Sequence, residues 1–143
     1  MSESKVLLVD DEKDFVETLA TRLETRGLKV DIAECGETGI QKAQEKSYDA
    51  VVLDLAMPGM DGVETLKKLR EQNPDAQVIL LTGRATPSKA VEAMKSGALD
   101  LLEKPVDIKV LAERIEEAAT KKMRLTEERL NKDMKDILRE KGW

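Results

Sequence analysis

Cysteine is almost absent. Cys35 is the only one in 143 residues, so no internal disulfide can form. A lone thiol in this setting reads as a small hydrophobe or loop residue rather than a redox centre. No apolar run approaches the ~18 residues of a membrane span. The start, Met1-Ser2-Glu3-Ser4, lacks the basic and apolar segments of a secretory signal. Internal repeats and low-complexity stretches are missing too. These absences leave a globular, cytoplasmic chain of bacterial type as the expectation. Positive charge is also in deficit, with a net charge of −5. Residues 121–143 carry eight basic and five acidic side chains, a net of +3, which leaves −8 for the rest. An acidic body argues against broad nucleic-acid binding.

What is present is an alternation. The length suits one domain with room for an appendage, and is enough for a real core. Lys5-Val6-Leu7-Leu8-Val9 is a continuous apolar run, as a strand buried on both faces requires, and Tyr48 to Leu53 and Gln77 to Leu81 read as two more buried strands. Leu28 to Ala33 alternates apolar with polar, and Leu99 to Leu102 carries one polar insertion; both read as edge strands. Helical spacing separates them: Phe15, Val16, Leu19, Ala20 and Leu23 before Gly27; Ile40 and Ala43; Val63, Leu66 and Leu69; Pro87 to Ser96 behind Thr86; and Ile108, Leu111, Ala112, Ile115 and Ala119. The spacing predicts (βα)₅, an α/β doubly wound five-stranded parallel sheet in the order 2-1-3-4-5. Beyond Thr120 only a narrow helical stripe remains, of Met123, Leu130, Met134, Ile137 and Leu138. It could pair with a second copy, dock on its own domain or stay frayed.

The strands end on chemistry. The first stops at Asp10 and Asp11, the third at Asp54, the fourth at Thr82, and the fifth at Glu103 and Lys104. In open parallel sheets ligands bind at this carboxyl edge. Three close carboxylates repel, and a hard divalent cation such as Mg²⁺ removes the conflict while leaving positions open for phosphate oxygens. The plain alternative for Asp10 or Asp11 is a helix cap. Asp54 is a candidate nucleophile toward phosphorus. Lys104 supplies a positive charge to the phosphoryl oxygens, and Thr82 a hydroxyl.

The order Asp10-Asp11, Asp54 followed by Met57-Pro58 and Asp61-Gly62, then Thr82, then Lys104-Pro105 resembles the receiver domain of two-component response regulators. The resemblance runs from about Lys5 to Thr120. It implies a flavodoxin-like receiver over residues 1–120 and a helical extension or linker over 121–143. It implies that Asp54 is the phospho-acceptor, loaded from a phosphohistidine on a sensor histidine kinase or phosphotransfer protein. Asp11 and Asp54 would ligate Mg²⁺ directly, with the Ala56 carbonyl as a third ligand and Asp10 acting through water. Thr82 would be the switch hydroxyl, Lys104 the phosphate contact, and Lys104-Pro105 a cis bond. Leu101 departs from the pattern, standing where many receivers carry Tyr or Phe. Ala56 offers no side chain to orient an attacking water, which predicts a long-lived phosphoryl group; Arg84 could reach or shield it.

The resemblance further implies a signalling switch rather than an enzyme, assisting only its own phosphorylation and dephosphorylation. Its output surface would be the α4-β5-α5 region from Thr86 to Thr120, which carries Lys89, Lys95, Lys109 and Arg114. Partners would be the phosphoryl donor and a downstream protein or output domain, with homodimerisation through the output face or the last helix open. Direct contact with nucleic acid or membrane is not expected. The extension is too short for a winged helix, so the chain is either a single-domain regulator or a receiver with its linker helix. Two rival readings remain. An aspartate-nucleophile phosphatase would want a second acid at position 56, where Ala stands. A pure interaction module would not need Asp54, Thr82 and Lys104 together.

Overall fold

A computed structural model describes residues 4–57, 59–83, 86–140 and 142. Residues 1–3, 58, 84–85, 141 and 143 lie outside them. Five strands alternate with five helices: β1 (Lys5–Val9), α1 (Lys13–Thr25), β2 (Lys29–Ala33), α2 (Gly36–Glu45), β3 (Ala50–Leu53), α3 (Gly62–Gln72), β4 (Val78–Thr82), α4 (Pro87–Lys95), β5 (Asp100–Glu103) and α5 (Ile108–Glu140). All pairings are parallel and the order is β2-β1-β3-β4-β5, as the sequence predicts.

The apolar pattern sets the layers. Side chains alternate across a strand, so β1 sends Leu7 and Val9 to one face and Val6 and Leu8 to the other. The first face packs with Val51, Leu53, Val78 and Leu80 against Leu66 and Leu69 of α3 and Ala93 of α4. The second packs with Val52, Ile79 and Leu81 against Val16, Leu19 and Leu23 of α1 and Leu111 and Ile115 of α5. The central strands β3 and β4 are buried throughout, whereas β2 and β5 are half-exposed. Edge strands with charged residues resist pairing with foreign strands.

Local chemistry places the ends. Asp61 caps α3 by accepting from the Glu64 N–H at 2.9 Å. Thr86 caps α4 more loosely, accepting from the Lys89 N–H at 3.3 Å, with Pro87 just inside the helix. The chain leaves α1 through Gly27 at φ +93°, a left-handed conformation that favours glycine.

The extension after Thr120 is no separate element. It continues α5 in one helix of 33 residues, about 50 Å long. Its first turns are fastened to the edge of the sheet opposite the carboxyl ends. Lys122 is buried, and its Nζ donates to Ser47 Oγ and to the Tyr48 carbonyl, both at 2.6 Å. Thr126 Oγ1 donates to Asp75 Oδ2 at 3.0 Å, and Arg129 pairs with the same carboxylate. Residues 122, 126 and 129 share one helix face. Beyond them Leu130, Met134 and Ile137 are exposed, as is Met123 before them.

Candidate functional site

Each site residue sits where a strand stops. β1 ends at Val9, and the Asp10 N–H donates to the Ala33 carbonyl at 3.1 Å, holding Asp10 beside the end of β2. β3 ends at Leu53, and the Asp54 N–H donates to the Val9 carbonyl at 3.0 Å. Backbone pairing thus brings Asp10 and Asp54 together across the β1–β3 ladder. Thr82 closes β4 opposite Glu103 of β5, and the Lys104 N–H donates to the Thr82 carbonyl at 3.0 Å. Asp10, Asp54 and Thr82 are all buried.

The Lys104 ammonium stands among acids. Its Nζ lies 2.8 Å from Asp10 Oδ2, 2.7 Å from Glu12 Oε1 and 3.4 Å from Asp54 Oδ2. The Phe15 ring centroid lies 4.3 Å from the same nitrogen. Burial works to lower the Lys104 pKa, but hydrogen bonds to Asp10 and Glu12 outweigh it and hold the ammonium above the usual lysine range. Asp10 is pushed up by burial, against the pull of Lys104 and the Glu12 N–H.

Asp54 is oriented by its own loop. Its Oδ1 accepts from the Ala56 N–H at 3.1 Å, which leaves Oδ2 toward Lys104. The loop then turns back so closely that a Cβ on Gly62 would sit 2.5 Å from the Asp54 carbonyl oxygen. The Gly62 N–H donates to the Leu55 carbonyl at 3.1 Å, tying α3 to the acceptor segment. Asp61 also meets Lys89 of α4 at 3.4 Å. The Asp61 carboxyl is held below its usual range, chiefly by the Glu64 N–H.

Carboxylate oxygens of Asp10, Glu12 and Asp54 lie within 4.8 Å of one another. These are hard oxygen donors with spare lone pairs, the chemistry that suits Mg²⁺. Asp11 is adjacent and exposed but is not in that converging set. Of the residues expected from the sequence, Asp10 and Asp54 both contact Lys104, and Thr82 is bonded to the Lys104 backbone. Glu12 was not anticipated. Its N–H donates to Asp10 Oδ1 at 2.9 Å, a contact that the sequence does not announce. The Lys104-Pro105 bond is cis. Leu101 is half-buried and packs on the core shared with α3. Arg84 lies outside the described residues.

Comparison with known proteins converges on one family. The response regulator receiver domain model matches residues 6–116. The transcriptional regulatory protein ZraR of Klebsiella oxytoca is 40% identical over 113 residues, covering 79% of this chain and 26% of that protein. The photosynthetic apparatus regulatory protein RegA of Rhodobacter capsulatus is 39% identical over 106 residues, covering 74% of this chain and 58% of that protein. The chain thus spans only part of the length of these relatives. A CheY-like response regulator receiver domain protein from Methanospirillum hungatei superposes with a TM-score of 0.82 at 28% identity, covering 86% of this chain and 98% of that one.

Proposed function

The chain belongs to the response regulator receiver domain family, and from that premise we propose that it is a phosphorylation-activated switch whose acceptor is Asp54. The donor is a phosphohistidine on a sensor histidine kinase or phosphotransfer protein. The observation that carries this reading is a buried carboxylate with Lys104 at 3.4 Å and Asp10 bonded to the same ammonium at 2.8 Å.

An Asp54 carboxylate oxygen attacks phosphorus in line with the departing imidazole nitrogen. The O–P bond forms as the P–N bond breaks, and the nitrogen keeps the electron pair and takes up a proton. The Ala56 N–H holds the carboxylate rotamer for this approach. Lys104 faces the charge on the phosphoryl oxygens with a preorganised ammonium. Thr82 offers its hydroxyl to one of them. Asp10, Asp11, Asp54 and the Ala56 carbonyl would hold Mg²⁺, which when bound neutralises charge on the transferring group.

The new group carries close to two negative charges. Because Thr82 and Lys104 are joined through their backbones, both respond together. Their response biases the residue range 86–120, which includes α4, β5 and the first half of α5. A few kcal/mol of differential contact is enough for such a population shift. Val91 and Met94 of α4 are exposed there, which suits a downstream protein, an output domain or a second copy. The α5 extension is the other surface through which two copies could pair. Among the described residues no helix is long and apolar enough to cross a membrane. The reading places the chain in the cytoplasm, without direct contact to nucleic acid or membrane, and gives it no turnover on other substrates.

The test is Mg²⁺-dependent uptake of phosphate from acetyl phosphate. One equivalent is expected for the wild type and none for Asp54→Asn. Release of several equivalents from phosphomonoesters favours the phosphatase instead. No uptake, with partner binding unchanged in Asp54→Asn, favours the interaction module.

A further inference from the structure

An ammonium has three N–H donors, and Lys104 has three carboxylates around it. Asp54, the proposed acceptor, is the most distant at 3.4 Å; Glu12 at 2.7 Å and Asp10 at 2.8 Å are nearer. The two near partners differ. The Asp10 side chain is buried, whereas that of Glu12 is 60% exposed. Glu12 occupies the N-cap position of α1, yet its side chain caps nothing. It reaches Lys104 instead, and Phe15 from the same first turn lays its ring 4.3 Å from the ammonium. The Glu12 backbone is itself fixed by its bond to Asp10 Oδ1. The start of α1 therefore grips the lysine from two sides.

We propose that Glu12 is a positioning residue: it holds Lys104 toward α1 while Asp54 is unmodified and yields it to a phosphoryl oxygen once Asp54 is phosphorylated. This rests on the reading of Asp54 as the acceptor. A group with nearly two negative charges outcompetes a single exposed carboxylate for the ammonium. Releasing Glu12 costs little, because water rehydrates it at once. Releasing Asp10 would strand a buried charge, which is far more expensive. The exchange therefore takes place at Glu12. Its charge opposes loading twice, by holding the lysine and by meeting an anionic group at the mouth of the site.

The probe is beryllofluoride at saturating Mg²⁺, with the Lys104 ammonium followed by nuclear magnetic resonance in isotope-labelled full-length chain. In Glu12→Gln the ammonium signal of the unmodified protein moves, and half-saturation needs about two- to fivefold less beryllofluoride, the range of an exposed ion pair. In a Lys104→Ala background, Glu12→Gln gives less than that gain, because the shared partner is gone. Both variants are compared at saturating Mg²⁺, because Glu12 belongs to the converging carboxylate set. An unmoved ammonium signal, an unchanged or raised beryllofluoride midpoint, or an equal gain without Lys104 each overturns the role of Glu12. A wild-type chain that binds no beryllofluoride and takes up no phosphate overturns the functional reading itself, which is a separate result.

Discussion

Gly62→Ala changes no side chain of the site and should nevertheless damage it. The added Cβ would lie 2.5 Å from the Asp54 carbonyl oxygen and 3.1 Å from its carbon. Ordinary contacts need about 3.5 Å, so the acceptor segment or α3 must retreat by about 1 Å. Retreat stretches the bond from the Gly62 N–H to the Leu55 carbonyl, worth about 1 kcal/mol. Overpacking adds about 1–3 kcal/mol, and the better helix propensity of alanine returns up to about 1 kcal/mol. The net is about 1–4 kcal/mol, or a fall in Tm of about 3–12 °C for a chain of this size. Because Asp54 is oriented through Ala56 in the same segment, a displacement of this size should slow phosphoryl uptake by about a hundredfold. The assays are thermal unfolding and the initial rate of uptake from acetyl phosphate. Gly83→Ala is the control, since its nearest neighbour is Lys104 Cδ at 4.0 Å; its stability should stay within about 0.5 kcal/mol of wild type. If Gly62→Ala matches Gly83→Ala in stability and rate, the close approach does not govern the acceptor.

Other outcomes follow from contacts away from the acceptor. Lys122→Met leaves the Tyr48 carbonyl without its buried donor but also removes a desolvated charge, so unfolding experiments should show a net loss of about 1 kcal/mol. Tyr48→Phe removes the hydroxyl that holds the Asp31 carboxyl below its usual 3.8. A depressed carboxyl contributes stability above its unfolded pKa and loses it as pH falls through the folded value. The variant should therefore be about 1 kcal/mol weaker at neutral pH, with the gap closing below pH 3.8 in acid titrations of stability. The phosphoryl group on Asp54 should persist well beyond seconds in purified protein, since Ala56 presents no polar side chain to attacking water; decay within seconds, followed by mass spectrometry, contradicts that.

The sheet was legible because burial on two faces leaves a distinct mark. The Leu7-Leu8-Val9 and Val51-Val52-Leu53 runs could only be central, and the alternation of Lys29, Val30, Asp31 and Ile32 could only be an edge. The site was legible because strand ends fix direction: residues immediately after β1, β3, β4 and β5 must share one edge. Glu12 was not legible, since an acid at a helix start ordinarily faces water or caps the helix. Only the tertiary approach of Lys104, 92 residues later, gives it a partner. The fastening of α5 was hidden for the same reason. Lys122, Thr126 and Arg129 form a polar helix face that reads as solvated until Ser47, Tyr48 and Asp75 are placed beside it. The stripe beyond Thr120 allows pairing, docking or fraying, and these contacts dock the turns from Lys122 to Arg129 on the domain.

The most direct measurement is intact-mass and peptide-level mass spectrometry after treatment with acetyl phosphate and Mg²⁺, comparing wild type with Asp54→Ala. A gain of one phosphoryl group in the wild type, mapped to Asp54 and absent from the variant, is the predicted result. No gain in the wild type, or an equal gain in Asp54→Ala, contradicts it.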